Sequence, residues 1–151
     1  MFWGSISGLH GKGPGVFWEK GWGSITSESY CQHIVPVLAQ YIDRTRLILM
    51  QDNAKGHAAK ATKQYMRELN SIPIFWPANS PDLNLIETLW DKIKDYIQEK
   101  YPNIHTSYPQ LRAAVCEAWN STTEEDIQGL IKSMHERCQA VIEAEGWHTK
   151  Y

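Results

Sequence analysis

Arg46-Leu47-Ile48-Leu49-Met50-Gln51-Asp52-Asn53 carries an apolar run straight into a carboxylate. Apolar residues without polar alternation read as a buried strand covered on both faces. Its carboxyl end delivers Asp52 to the kind of crevice where open α/β sheets bind ligands. Further on, Ser80-Pro81-Asp82-Leu83-Asn84-Leu85-Ile86-Glu87 opens a helix and puts a second carboxylate near its start. Between the two acids lie 34 residues, positions 53 to 86.

Working outward, Met1 to Ser7 and Val16-Phe17-Trp18 read as the strands of a hairpin. The glycine-rich Gly8 to Gly15 is the turn between them. A helix follows from an N-cap at Thr26 or Ser27, with Tyr30, Ile34, Leu38 and Ile42 on one face. Pro36 predicts a kink or break inside it. Ala58 to Leu69 is helical, and Ile72 to Trp76 is a short strand whose proline belongs near an edge or start. The next helix runs from about Pro81 to Lys100, with Ile86, Leu89, Trp90, Ile93 and Ile97 facing a core. Two more helices, near Tyr108–Asn120 and Glu124–Glu145, complete the pattern, the last with a capping-box-like start at Thr122-Thr123-Glu124-Glu125. The order predicts one α/β domain over residues 1–151, with a mixed sheet and Leu47–Met50 as its central strand.

Composition narrows the function classes. With 151 residues, 42% of them hydrophobic, and seven Trp, the chain has material for a real core. No apolar run approaches the length of a membrane span, and Met1-Phe2-Trp3-Gly4 lacks a secretory pattern. Three cysteines at wide spacings (Cys31, Cys116, Cys138) predict reduced, partly buried thiols in an intracellular, reducing compartment. The net charge of −2 argues against tight nonspecific DNA binding by this chain alone. It leaves open a nuclease whose acids gather in a metal site while Lys and Arg line the rim.

A strand-end carboxylate and a helix carboxylate suit a shared divalent ion. Phosphoryl transfer by two metals uses hard oxygen ligands around ions roughly 3.5–4 Å apart. Magnesium keeps several waters, so few carboxylates suffice. In this reading Asp52 is the bridging ligand and Glu87 the terminal one. Each residue also has a plainer reading. Asp52-Asn53 is a turn capping the helix near Ala58. Glu87 is a capping-box acid three residues after Asn84. His57 is a helix-terminal histidine packed on a neighbour, Asp82 is a first-turn acid meeting the helix dipole, and Asp91 pairs with Lys94 or solvent.

Taken together, the two blocks resemble a known family. Gln51-Asp52-Asn53-Ala54-Lys55-Gly56-His57 and Trp76-Pro77-Ala78-Asn79-Ser80-Pro81-Asp82-Leu83-Asn84-Leu85-Ile86-Glu87-Thr88-Leu89-Trp90 resemble the second and third catalytic blocks of mariner-like DDE transposases. The spacing of 34 is one that family uses. The opening Met1-Phe2-Trp3-Gly4 with Gly13-Pro14-Gly15-Val16-Phe17 is similar to the family's preceding hairpin. Residues 133–142 with 146–151 are similar to its C-terminal tail. The resemblance implies a ribonuclease H-like fold, magnesium or manganese dependence, and DNA hydrolysis followed by strand transfer. It implies catalytic and metal-binding roles for Asp52 and Glu87, site-shaping roles for Asn53 and His57, DNA (transposon ends and target) as partner, and no small-molecule cofactor. The nucleus is the expected location for a eukaryotic source.

The same resemblance shows a departure. The family's first catalytic aspartate and its helix-turn-helix region lie upstream of the segment that opens this chain, so residues 1–151 are expected to be the C-terminal part of a catalytic domain. Asp43, nine residues before Asp52 along an extended run, is placed roughly 25–30 Å away and does not substitute. Asp82 and Asp91 are nearer candidates, at a cost in geometry. Without the missing strand the apolar central strand lacks hydrogen-bond partners, which predicts self-association. Three functions compete: an impaired transposase core, a catalytically dead remnant serving as a dimerisation or interaction module, and a structure-selective nuclease.

Overall fold

The computed structural model describes residues 1–104 and 107–151. The chain divides into two compact units. Met1–Ser5 and Gly13–Ser80 form the first; Ile6–Lys12 and Pro81–Tyr151 form the second.

The opening hairpin pairs β1 (Phe2–Ser7) with β2 (Gly11–Phe17). The turn is shorter than the glycine content predicts, because β2 already begins at Gly11, whose φ of 64° is the left-handed conformation glycine tolerates. Pro14 fits inside β2 because a two-stranded sheet has only edge strands. A Cβ at Gly13 would run into the Ser5 hydroxyl and the Tyr41 ring, so the close approach there requires glycine.

In the first unit, α1 (Ser27–His33) starts from a capping box between Thr26 and Ser29. The predicted break falls as expected: α2 (Val35–Thr45) restarts with Pro36 in its first turn, where its missing N–H costs nothing. The predicted Ala58–Leu69 helix forms as α4 (Lys60–Glu68), and a short helical turn, α3 (Lys55–Ala58), precedes it. The core gathers Trp18, Tyr30, Ile34, Val35, Leu38 and Met66.

The two predicted inner strands are corrected. Residues 47–50 and 72–76 form neither helix nor strand. One backbone bond joins them, from Ile74 N to Leu49 O at 2.9 Å, and a single bond is not a ladder. The run is not covered on both faces either: Leu49 packs on the core, whereas Ile48 is 78% and Phe75 89% exposed. Among the described residues the hydrogen-bonded sheet is the β1–β2 pair. Asp43 belongs to α2, so the extended-chain distance to Asp52 does not apply.

In the second unit a 3-10 turn, Pro81–Leu83, leads into α5 (Leu85–Lys100). Then come α6 (Tyr108–Ser121), α7 (Glu124–Lys132) and α8 (Met134–Glu143), the last predicted helix being broken at Ser133. A capping box does open α7, but it pairs Thr123 with Asp126, one residue further on than the predicted Thr122–Glu125 stretch. Leu85, Leu89, Ile93 and Ile97 line the buried face of α5, which packs against α6 and α7. Trp90 and Trp119 stack with centroids 5.6 Å apart. Lys12 at the hairpin's turn end donates to the carbonyls of Trp119 and Asn120, the cationic partner that helix C-termini favour. Cys31 is half-buried; Cys116 and Cys138 are exposed rather than partly buried, and all three are free thiols. No helix among the described residues is long and apolar enough to cross a membrane.

Ile34→Ala is expected to cost about 2–5 kcal/mol, the range for deleting a fully buried aliphatic side chain. Ile48→Ala should change stability by no more than about 0.5 kcal/mol, because its side chain is already in water. Urea midpoints of the two variants check both; a cost at position 48 equal to that at 34 would restore the buried-strand reading.

Candidate active site

Asp52 sits in the loop after the 47–50 stretch, with its side chain 43% exposed. Its Oδ1 accepts from the Ala54 backbone N–H at 3.1 Å and lies 2.6 Å from His57 Nδ1. An ionised carboxylate only accepts, so the imidazole Nδ1 carries the proton. The plain capping reading is not what forms: α3 has Ala54 as N-cap and no side-chain cap bond, and Asp52 makes a local Asx turn. His57 is held in turn by the Tyr30 ring, 4.6 Å away. Burial first, and then the Asp52 carboxylate, push the Tyr30 hydroxyl well above its ordinary range. It therefore stays protonated and donates to Gln51 Oε1 at 3.4 Å.

Asn53 Nδ2 donates to the Trp76 carbonyl at 2.8 Å. That bond ties the loop carrying Asp52 to the start of the Trp76–Trp90 block, within the first unit. The structure thus sets Asp52 and Asn53, in one loop, beside His57 on α3, and gives Asn53 and His57 a defined orienting contact each. Tyr30, 21 residues before Gln51, was not singled out for this role; its place on the buried face of α1 gave no hint of it.

Glu87 lies in the first turn of α5 in the second unit and is exposed. Its capping-box reading fails, because the Asn84 side chain makes no cap bond to the backbone. Instead Asn84 Nδ2 reaches Glu87 Oε1 at 3.4 Å. Asp91 pairs with Lys94 at 2.9 Å, as its plainer reading predicts. Asp82 is no simple first-turn acid: it is 9% exposed and accepts from Thr149 N and Thr149 Oγ1 at 2.9 and 2.6 Å. Among the described residues no group of three or more His, Cys, Asp or Glu side chains is arranged to hold a metal ion. In the second unit a groove of about 450 Å³ is lined by Tyr101, Ile104, Gln110, Ala114 and Glu117 among others, and no residue of either block is in its lining.

Residues 6–107 match the sequence profile of the DDE superfamily endonuclease. The chain belongs to the DDE endonuclease superfamily. Among its relatives, the Tcb2 transposable-element transposase of Caenorhabditis briggsae is 33% identical over 105 residues, 69% of this chain and 37% of the relative. The chain therefore spans little more than a third of the length of that relative. The Mos1 transposase catalytic domain, solved with raltegravir and manganese, superposes with a TM-score of 0.75 at 19% identity, covering 92% of this chain and 72% of that one. The Mos1 strand transfer complex gives a TM-score of 0.75 at 20% identity, covering 92% of this chain and 41% of that one. The expected ribonuclease H-like class holds for this DDE chain at the level of overall fold, with two paired strands among the described residues.

The Asp82 carboxyl is held below the ordinary carboxylate range, chiefly by the Thr149 hydroxyl. A lowered folded-state pKa stabilises above the unfolded value of about 3.9 and loses that contribution as pH falls through the folded value. Unfolding midpoints should therefore decline on the acid side, and Asp82→Asn should flatten that decline while lowering the plateau at neutral pH. Wild type and variant falling in parallel with acid would show that Asp82 is not among the groups responsible.

Proposed function

We propose that the chain carries two of the metal-holding carboxylates of a DNA-cleaving and strand-joining transposase core, Asp52 and Glu87. The observation that supports this most is the Asp52–His57 pair, in which a histidine N–H is committed to orienting a partly exposed carboxylate. Among the described residues both hydrogen bonds to Asp52 fall on Oδ1, which leaves Oδ2 to face an incoming cation. Glu87 is exposed and only loosely engaged by Asn84. Two hard oxygen donors of this kind fit magnesium or manganese, which retain waters at their remaining positions.

Each residue has a task in this reading. Asp52 and Glu87 would hold the ion; His57 fixes the rotation of the Asp52 carboxylate; Asn53 keeps the loop in place through Trp76. Such an ion, when bound, favours the ionised form of an attacking hydroxyl and neutralises charge on the phosphate. In hydrolysis the water oxygen bonds to phosphorus, one phosphorus–oxygen bond to a sugar breaks, and the released sugar oxygen takes up a proton. Strand transfer repeats the exchange with a 3′-hydroxyl as attacker. The DNA partner is proposed from family membership and from the Mos1 complex. The nucleus is proposed as the location for a eukaryotic source.

A second reading, an interaction module without chemistry, is favoured by the lack of a three-ligand cluster among the described residues. It is also favoured by the exposed Ile48, Ile72, Ile74 and Phe75 beside backbone that forms no ladder. Self-association through that edge is part of this reading.

Saturating manganese should raise the melting temperature; metal at 100 times its dissociation constant corresponds to about 2.7 kcal/mol. Asp52→Asn should abolish the rise, and no rise in the wild type at millimolar metal would leave the interaction module standing. Nicking of supercoiled DNA by the chain alone is expected at or near background, with Glu87→Gln as control. Light scattering should show a mass that grows with concentration; a constant monomer mass counts against self-association.

A further inference from the structure

Arg137 is 3% exposed, and its guanidinium reaches away from its own helix. Nη1 donates to the Asp82 backbone carbonyl at 2.7 Å and Nη2 to Thr88 Oγ1 at 2.9 Å. Nε donates to Ser133 Oγ at 2.9 Å, and the Tyr151 ring covers the group with its centroid 4.6 Å from Cζ. Burying a guanidinium carries a desolvation penalty that an apolar side chain avoids, so these contacts need a reason beyond filling space.

Their placement supplies one. The Asp82 carbonyl and the Thr88 hydroxyl bracket the segment 83–87, and Thr88 directly follows Glu87. In that segment Asn84 makes no side-chain cap bond to the backbone of α5, whereas α1 and α7 begin with complete capping boxes. A planar guanidinium with fixed donor directions sets both distance and rotation at two points, which a lysine cannot do. Asp82 is anchored from the other side by Thr149, whose hydroxyl also accepts from the Tyr151 N–H at 3.2 Å.

We propose that Arg137 is a positioning residue for Glu87, and that Thr149 and Tyr151 belong to the same brace through Asp82 and the guanidinium face. The proposal rests on the reading of Glu87 as a metal ligand. In it the C-terminal segment sets the rotation of the first turn of α5, and so the direction in which the Glu87 carboxylate points.

The test uses the full 151-residue chain with two readouts: amide hydrogen exchange without metal, and Mn²⁺ affinity from the electron paramagnetic resonance of free Mn²⁺. Thr88→Val and Thr149→Val each remove one hydroxyl and leave both charged side chains and their other hydrogen bonds in place, and Arg137→Lys keeps the charge but loses the fork. Exchange at Glu87 to Trp90 is expected to speed up about five- to tenfold in all three, the scale of one lost hydrogen bond. Mn²⁺ affinity should weaken by a similar factor, while amides of Ala114 and Ala118 in α6 keep the wild-type rate. Unchanged exchange in the first turn of α5 overturns the proposal. So does acceleration in α6 equal to that in α5, which marks general destabilisation. Glu87→Gln separates the two levels: if it leaves Mn²⁺ affinity unchanged, the ligand reading falls, and the exchange pattern alone decides whether Arg137 fixes the turn.

Discussion

His57 Nδ1 donates to Asp52 Oδ1 over 2.6 Å, and that bond governs what the loop after the apolar stretch can be used for. Without it Asp52 is a half-exposed side chain on an irregular segment, held by the Ala54 N–H alone. With it, one oxygen accepts two hydrogen bonds, which fixes the rotation of the carboxylate; in the proposed function that restraint serves to orient a metal ligand. The same loop is tied at Asn53 to the Trp76 carbonyl and at Gln51 to the Tyr30 hydroxyl. Three successive residues, 51 to 53, thus each have a partner from a different part of the first unit.

The second carboxylate is held by other means. Glu87 sits on a regular helix, so its backbone is stiff, yet that helix begins without a cap from Asn84. Side chains distant in sequence do the work there, with Arg137 and Thr149 reaching the turn at Asp82. A helix start usually restrained by a residue three positions away is here restrained from 55 and 67 positions away. These contacts explain why Asp82, a first-turn acid by its simplest reading, is largely buried.

The edge of the first unit has the opposite character. Leu49 is drawn into the core while Ile48, Ile74 and Phe75 face solvent beside a single backbone bond. Apolar surface and unladdered backbone together favour strand addition, the physical condition for association through an edge.

Much of the chain was legible residue by residue. The capped starts at Thr26 and Thr123, the break at Pro36, the apolar stripe of α5 and the Asp91–Lys94 pair all depend on neighbours within a few positions, where spacing determines geometry. The blocks around Asp52 and Glu87 marked the family for the same reason, since each is contiguous. What spacing could not decide was pairing between distant segments. Leu47–Met50 has a strand's composition, but a strand exists only when a second backbone lies alongside, and here the one bond to Ile74 is too little. The burial of Asp82 and the reach of Arg137 were hidden likewise, because a hydrogen bond between positions 55 residues apart leaves no periodic trace in the chain. Only the tertiary structure brings such groups within bonding distance.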